Sequence, residues 1–469
     1  MLEGLEISEI TLQELIKYTI SLRFDSEYFR KEYLAIDKLL SNKKRGKLAS
    51  ITTKIDVGFV GSMTAYYRET GVTLMQTKNI NSFFIDDSDT IKITDSFHKQ
   101  LRKSQINKGD ILIARSGSFG KAAIYLDDEI INSSDIIIIK ANEELINPFY
   151  LTAFLNSNCG INQMIRFASG GLQGHVNLTI IEELVVPLLR YDFQKSEERL
   201  IFQAHIDKKG AAIKYQEAET LLLETLGLSN FEPTSEAVNV KSFKESFLSS
   251  GRLDAEYYQK KYEEITVRIK SHKYDQLGNL VDIKKSIEPG SDAYQEEGVP
   301  FIRVSNLNKM GLSEPDIHLD GVKYKDVVKP RKDTILLSKD GSVGIAYKVT
   351  EDMNAITSGA ILHLSVKTDE VLPDYLTLVI NSKVVQMQAE RDAGGSILQH
   401  WKPSEIEQVE IPIIDKQIQE KIASLVSDSF TLKKQSEQLL ETAKRAVEIA
   451  IEEGEEVAMQ FIKESQAFN

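Results

Sequence analysis

The sequence predicts an α+β fold built twice: two duplicated globular modules separated by an antiparallel pair of long helices in a short coiled coil. Three observations predict it. An ordered set of short segments recurs at an offset of about 225 residues, the mark of a long internal repeat. Two stretches, one after each copy, carry small and apolar residues at alternating spacings of three and four. Within each copy, short β-rich runs alternate with Gly and Asn/Asp turns and with a helix opened by proline.

The repeat runs in order along the chain. Arg23-Phe24-Asp25-Ser26-Glu27-Tyr28-Phe29 returns as Arg252-Leu253-Asp254-Ala255-Glu256-Tyr257-Tyr258. Gly71-Val72 and the strand through Asn79-Ile80 return as Gly298-Val299 and the strand through Asn306-Leu307. Asp110-Ile111-Leu112-Ile113 before Gly117-Ser118-Phe119-Gly120 matches Asp333-Thr334-Ile335-Leu336 before Gly341-Ser342-Val343-Gly344. Tyr150-Leu151-Thr152 with Asn156-Ser157 matches Tyr375-Leu376-Thr377 with Asn381-Ser382, and Gly170-Gly171 matches Gly394-Gly395. Each copy closes on a strand ending in proline, at Pro187 and Pro412. Chance gives one such match, not six in order.

The helix after the first copy, about residues 193–226, has Ile201, Ala204, Ala211, Tyr215, Ala218 and Leu222 on its seam, with Lys208 filling one position. The second begins near Asp415, with Ile418, Ile422, Leu425, Ser429, Leu432, Ser436, Leu439, Ala443, Ala446 and Ala450. Ala and Ser on a seam let two backbones approach closely. A helix of roughly 34 residues is about 50 Å long at ~1.5 Å per residue.

The bulk numbers exclude several classes. With 469 residues the chain holds more than one domain. Its single cysteine, Cys159, allows neither an internal disulfide nor a cysteine zinc site, which fits a reducing cytoplasm. The acidic start has no secretory pattern, and no apolar run is long enough for a bilayer. The net charge is -13, yet residues 41–190 carry +2 while residues 271–412 carry -6. Nucleic-acid binding requires a local basic face rather than a basic whole. The acidic second half implies a partner that supplies part of the positive potential.

Taken with its motifs, the chain resembles the specificity subunit of type I restriction-modification systems. The resemblance is carried by the strands from Gly71 to Asn79 and Gly298 to Asn306, the D-x-L-hydrophobic strand before G-S-x-G, the Y-L-x(4)-N-S helix, the Gly-Gly pair and the closing proline strand. It implies an N-terminal segment 1–22, a first target-recognition domain 23–190, a central spacer helix 191–229, a second domain 230–412 and a C-terminal spacer helix 413–469. Each domain then reads half of a bipartite double-stranded DNA target, with an unread gap on the order of 5–8 base pairs. Two adenine-N6 methyltransferase subunits and a restriction/translocase subunit are the implied partners, with no membrane. The chain itself is implied to be non-catalytic and to hold no cofactor; S-adenosylmethionine, ATP and Mg belong to those partners. The partner alone separates this from a specificity chain of a type II-like methyltransferase-nuclease. A two-domain scaffold that never touches DNA is the other alternative, and the acidic second half is its support.

The sequence carries no complete catalytic motif of the kinds such chemistry requires. Asn147-Pro148-Phe149-Tyr150 lacks the second proline of an adenine methyltransferase motif and reads as a helix start. Gly117-Ser118-Phe119-Gly120-Lys121 lacks the spacing of a phosphate-binding loop, and the seven histidines show no metal spacing. The DNA-binding candidates are polar residues at equivalent strand ends and loops. Gln173 and His175 follow the first Gly-Gly turn, and Gln399, His400 and Lys402 follow the second; Gln matches an adenine edge, His a phosphate. Arg115, Ser116 and Lys121 flank one G-S-x-G turn, and Lys339 and Ser342 flank the other. Lys43, Lys44 and Arg45 form a basic cluster, a solvated loop or a phosphate contact. Tyr67 and Tyr294 lie on corresponding loops, Tyr67 either at a groove or tucked into its own domain. Lys78 and Arg303 end the Asn strands.

Overall fold

The computed structural model describes residues 8–18, 25–115, 120–168, 177–236, 238–393 and 399–467. They form two compact units, one of residues 1–208 with 433–469, the other of residues 209–432. Each unit combines one globular module with a stretch of each long helix.

In the first unit the run of isoleucines is the middle of an antiparallel sheet. Strand Ile136–Ala141 pairs with Thr52–Val57 on one side and Ile111–Ala114 on the other, and the latter pairs with Ala122–Ile124. The run is continuous in sequence because both faces are covered. Ile137 and Ile139 pack with Phe154 and Leu155 of the helix Pro148–Asn156, while Ile136 and Ile138 pack with Met75, Ile106 and Ile131. Successive residues of a strand point to opposite faces. Each such side chain stabilises the fold by about 1.5–3 kcal/mol. A second sheet runs Tyr67–Arg68, Ile91–Ile93, Val72–Met75, Ile131–Ser133, Gln105–Ile106, with a parallel pairing between Val72–Met75 and Ile131–Ser133. Arg45–Lys47 pairs with Val185–Pro187 and ties the module's two ends together.

The second unit repeats this plan. Its main sheet has the order Val281–Lys285, Ile361–Val366, Ile335–Ser338, Ala346–Lys348, strand for strand the equivalent of the first. Val299–Ile302 again pairs in parallel, with Ile356–Thr357. Tyr274–Gln276 again pairs with the closing strand Glu410–Pro412. Where the first unit buries Ile138, the second buries His363; burial lowers its pKa to about 4, so the ring is neutral, and Thr357 shares a 2.8 Å hydrogen bond with it.

The repeated motif residues are structural. The hydroxyls of Tyr150 and Tyr375 each donate to the closing proline's carbonyl, Pro187 and Pro412, at 2.7 Å. Asn156 bonds both the N–H and the carbonyl of Ala122, as Asn381 does with Ala346. Each satisfies buried backbone that would otherwise be costly. Cys159 is buried, and burial pushes its thiol up to about 12, so it stays protonated and unreactive.

The long helices span Tyr191–Thr225 and Lys416–Glu452. In the first unit Arg190 reaches Glu455 at 3.1 Å while Ser436 donates to the Ala204 carbonyl at 2.7 Å, so their segments run antiparallel. In the second unit Ser429 donates to the Ala211 carbonyl, also at 2.7 Å. Two expectations are corrected. Lys208 is exposed and donates to the Ile85 carbonyl, while Asp207 takes the buried side and accepts from Gln203. The C-terminal helix does not continue past Glu452: Gly454, at φ +113, caps it, and a separate helix Glu455–Ala467 follows.

The helix pair carries one buried group without compensation. Glu197 is fully buried, and neither carboxylate oxygen finds a hydrogen-bond partner among the described residues. Gln194 and Gln419 make matching bonds to Asn147 and Leu372, which sets Glu197 opposite Ile422 in the repeat. Desolvation pushes the Glu197 pKa well above the usual carboxylate range. Glu197→Ile is therefore expected to stabilise the first unit by about 1–3 kcal/mol. The sign with pH follows from the raised folded pKa: the unfolded carboxyl ionises above about 4.3 and the folded one later, so the native protein loses stability as pH rises between them. The gain from Glu197→Ile should grow across that window in thermal melts, and a gain that shrinks with pH would contradict this.

Candidate nucleic-acid interface

In both units a short turn follows the strand that pairs in parallel, and an asparagine pins it. Asn79 accepts from the backbone N–H of Gln76 at 2.9 Å and donates to the carbonyls of Asp86 and Asp89. Asn306 accepts from the N–H of Arg303 at 3.0 Å and donates to Ser313 Oγ and the Glu314 carbonyl. Both asparagines are buried. The backbone N–H of residue 76 or 303 is thus held by the asparagine side chain three residues on.

In the second unit this turn opens onto a cleft of about 530 Å³. It brings together four of the expected residues, Tyr294, Arg303, Gln399 and His400, with Glu288 and Asp340. The chain reaches the cleft from three directions. The Tyr294 ring stands 5.7 Å from the core ring of Phe301. Arg303 pairs with Asp316 at 2.8 Å. The Gln399 carbonyl accepts from the Gly341 N–H at 2.9 Å, which draws the segment after the second Gly-Gly pair against the G-S-x-G turn. His400 Nδ1 bonds Asp340.

Other expectations come out differently. Lys339 is almost fully buried, its ammonium group taken up by Asp340, so it is not a phosphate contact. Its role is internal: its N–H and carbonyl bond Ala360 and Trp401. Ser342 is exposed at the turn, and its carbonyl accepts from Ser338. Lys402 is exposed, with Glu405 at 3.3 Å.

In the first unit Arg115 pairs with Asp135 at 2.9 Å, and Thr77 of the pinned turn donates to the Asp135 carbonyl. Arg115 therefore stands beside the turn. Lys78 pairs with Asp89 at 2.5 Å, and Lys121 lies 3.4 Å from Asn81. Tyr67 is half-buried and packed against its own module; Tyr66 is the more exposed ring and stacks on Phe97. Lys43 donates to the Ala450 carbonyl near a helix end, where a cation is favoured. Lys44 and Arg45 stay exposed. Ser116, Gln173 and His175 lie outside the described residues.

Sequence reasoning missed Gln76, Glu288, Asp316 and Asp340. Gln76 had a signal: it occupies the place in the repeat that Arg303 holds in the second copy. Asp316 had none, because it meets Arg303 only in the folded chain, and the bond of Asp340 to His400 likewise joins distant segments. Asn147-Pro148-Phe149-Tyr150 is a helix start: Asn147 accepts from the N–H groups of Phe149 and Tyr150, and Tyr150 is buried. Among the described residues no cluster of His, Cys, Asp or Glu has a metal-binding arrangement, and no helix is long and apolar enough to cross a membrane.

A family model described as the type I restriction modification DNA specificity domain matches residues 40–196 and again residues 270–442. No curated protein matches the sequence. Among solved structures, the chain is similar to the S subunit of a type I restriction-modification system from M. genitalium, at 13% identity and TM-score 0.40, covering 90% of this chain and 95% of that one. The HsdS subunit from Thermoanaerobacter tengcongensis matches at 15% identity and TM-score 0.28, covering 90% and 96%. A structure concerned with complex assembly and conformational transition of the type I R-M system matches at 14% identity and TM-score 0.28, covering 90% and 97%.

Proposed function

Because the chain belongs to the type I restriction modification DNA specificity family and carries its domain twice, we propose that it is the non-catalytic subunit that chooses the DNA target. Each module reads one half of a bipartite site, and the chain positions adenine-N6 methyltransferase subunits, two per chain, and a restriction/translocase subunit. Those partners hold S-adenosylmethionine, ATP and Mg. One observation carries the reading: two modules of the same strand order carry different side chains at the root of equivalent pinned turns, Gln76 against Arg303. One scaffold with two unlike reading surfaces suits an asymmetric, divided target.

The test is to map methylated positions in cells that carry the chain with its methyltransferase partner. Replacing residues 41–190 by the corresponding module of another family member is expected to change one half-site and leave the other. The purified chain alone is expected to transfer no methyl group. A continuous palindromic target, or a change in both halves, would overturn the reading.

A further inference from the structure

We infer that the residue rooted by the asparagine-pinned turn determines specificity in each module, Arg303 contacting a guanine edge and Gln76 an adenine edge; this rests on the proposed function. The pinned turn supplies a fixed root. Asn79 and Asn306 hold the backbone N–H of residues 76 and 303, so their side chains can differ without disturbing the turn. The two copies keep the anchor and change only what it presents.

The cleft around Arg303 has the wrong electrostatics for phosphate and the right chemistry for bases. Glu288 lines it, as does Asp340, whose oxygens already bond Lys339 and His400, and Asp316 sits on Arg303 itself. Carboxylates repel a phosphate oxygen, yet they accept the N4 amino hydrogen of cytosine, while an arginine fork donates to O6 and N7 of its paired guanine. A donor and an acceptor for a G·C pair, Arg303 and Glu288, therefore line one cleft, together with Gln399 and Tyr294. Asp316 pre-orients the guanidinium, which lowers the ordering cost on binding. Arg303 Nε is buried and has no acceptor among the described residues. Folds retain such a defect where a side chain serves something other than stability. Gln76, at the same root beside Arg115 and Thr77, carries the amide pair that matches N6 and N7 of adenine.

The experiment uses the full chain co-purified with its methyltransferase subunit, selecting from a randomised duplex library. Arg303→Gln is expected to lower the preference for guanine at one position of one half-site by about ten- to a hundred-fold and to leave the other half-site unchanged. Gln76→Arg should act on the other half-site in the same way. The salt dependence of binding should stay as it was, because no phosphate contact is removed. Arg303→Lys keeps the charge and the pairing with Asp316 but loses the fork, so it should also lose the guanine preference, and melting curves confirm that it folds. Unchanged half-sites in these variants would overturn the assignment while the specificity reading stands. Uniform weakening with a shallower salt slope would overturn it too, by marking a phosphate contact. An unaltered chain that selects no sequence removes the proposed function, and the assignment with it.

Discussion

A chain ended after Asp428 is expected to lose the fold of its first unit while keeping most of its second. The deleted residues include Ala443, Ala446, Val447, Ile449, Ala450, Ile451, Ala458 and Ile462, all part of the core that holds Ile137, Ile139, Phe154 and Phe193. The four larger ones alone, Val447, Ile449, Ile451 and Ile462, contribute roughly 6–12 kcal/mol. That equals the whole stability of an ordinary domain, about 5–15 kcal/mol. The deletion also removes Glu448, which accepts from the Asn158 N–H, and Ser436, which bonds the Ala204 carbonyl. The second unit retains Ile422 and Val426. Hydrogen exchange should therefore show rapid exchange in residues 25–208 and protection in residues 260–425. Equal protection in both, as in the full chain, would show that the last helices are only a tail. If the first unit unfolds, the truncated chain should also fail to join its methyltransferase partner normally.

The second large effect is expected at Arg166, almost fully buried at the end of the helix Asn158–Ala168. Its guanidinium pairs with Asp37 at 2.6 Å, donates to the Tyr28 carbonyl at 2.8 Å, and lies over the Tyr28 ring at 4.3 Å. One side chain thus ties together the helix Lys31–Ser41, the turn Ser26–Phe29 and the helix that leads into the first Gly-Gly segment. Removing one partner of a buried ion pair leaves the other charge uncompensated and costs about 3–5 kcal/mol. Arg166→Ala should therefore lower Tm by roughly 6–20 °C in a unit of this size. The double change Arg166→Met with Asp37→Leu should recover most of that loss, because it removes both charges. A drop of about 1 kcal/mol or less in Arg166→Ala would show that the pair is not structural.

These two sites differ in how far the sequence announced them. The seam that carries Ala443, Ala446 and Ala450 is legible because helical spacing is local: a 4-3 alternation needs only the order of residues along one segment. The Arg166–Asp37 pair was invisible, because its members are far apart in the chain and belong to no periodic pattern. The R-x-D-x-E-Y motif pointed to the region without its reason, which in the described residues is a tyrosine against an arginine, Tyr28 under the buried Arg166 and Tyr257 near the half-buried Arg391.

The candidate interface divides the same way. Tyr294, Arg303, Gln399 and His400 were legible as polar residues at equivalent turns, and the fold gathers them into one cleft. Lys339 looked the same in sequence and is buried on Asp340. Asp340 is its sequence neighbour, but the burial of Lys339 comes from distant segments, with its backbone bonded to Ala360 and Trp401.

By itself the sequence determined the duplication, the α+β class, the long helices and the strand cores, because repeats and hydrophobic periods are written in neighbouring residues. Only the tertiary structure decided which charges are paired, that Asp207 rather than Lys208 takes the buried side, where the last helix breaks, and that Gln76 and Arg303 share one anchored root. Those outcomes depend on which distant segments meet. A carboxylate brought within 3 Å of a cation by the fold changes that cation's chemistry more than its sequence neighbours do.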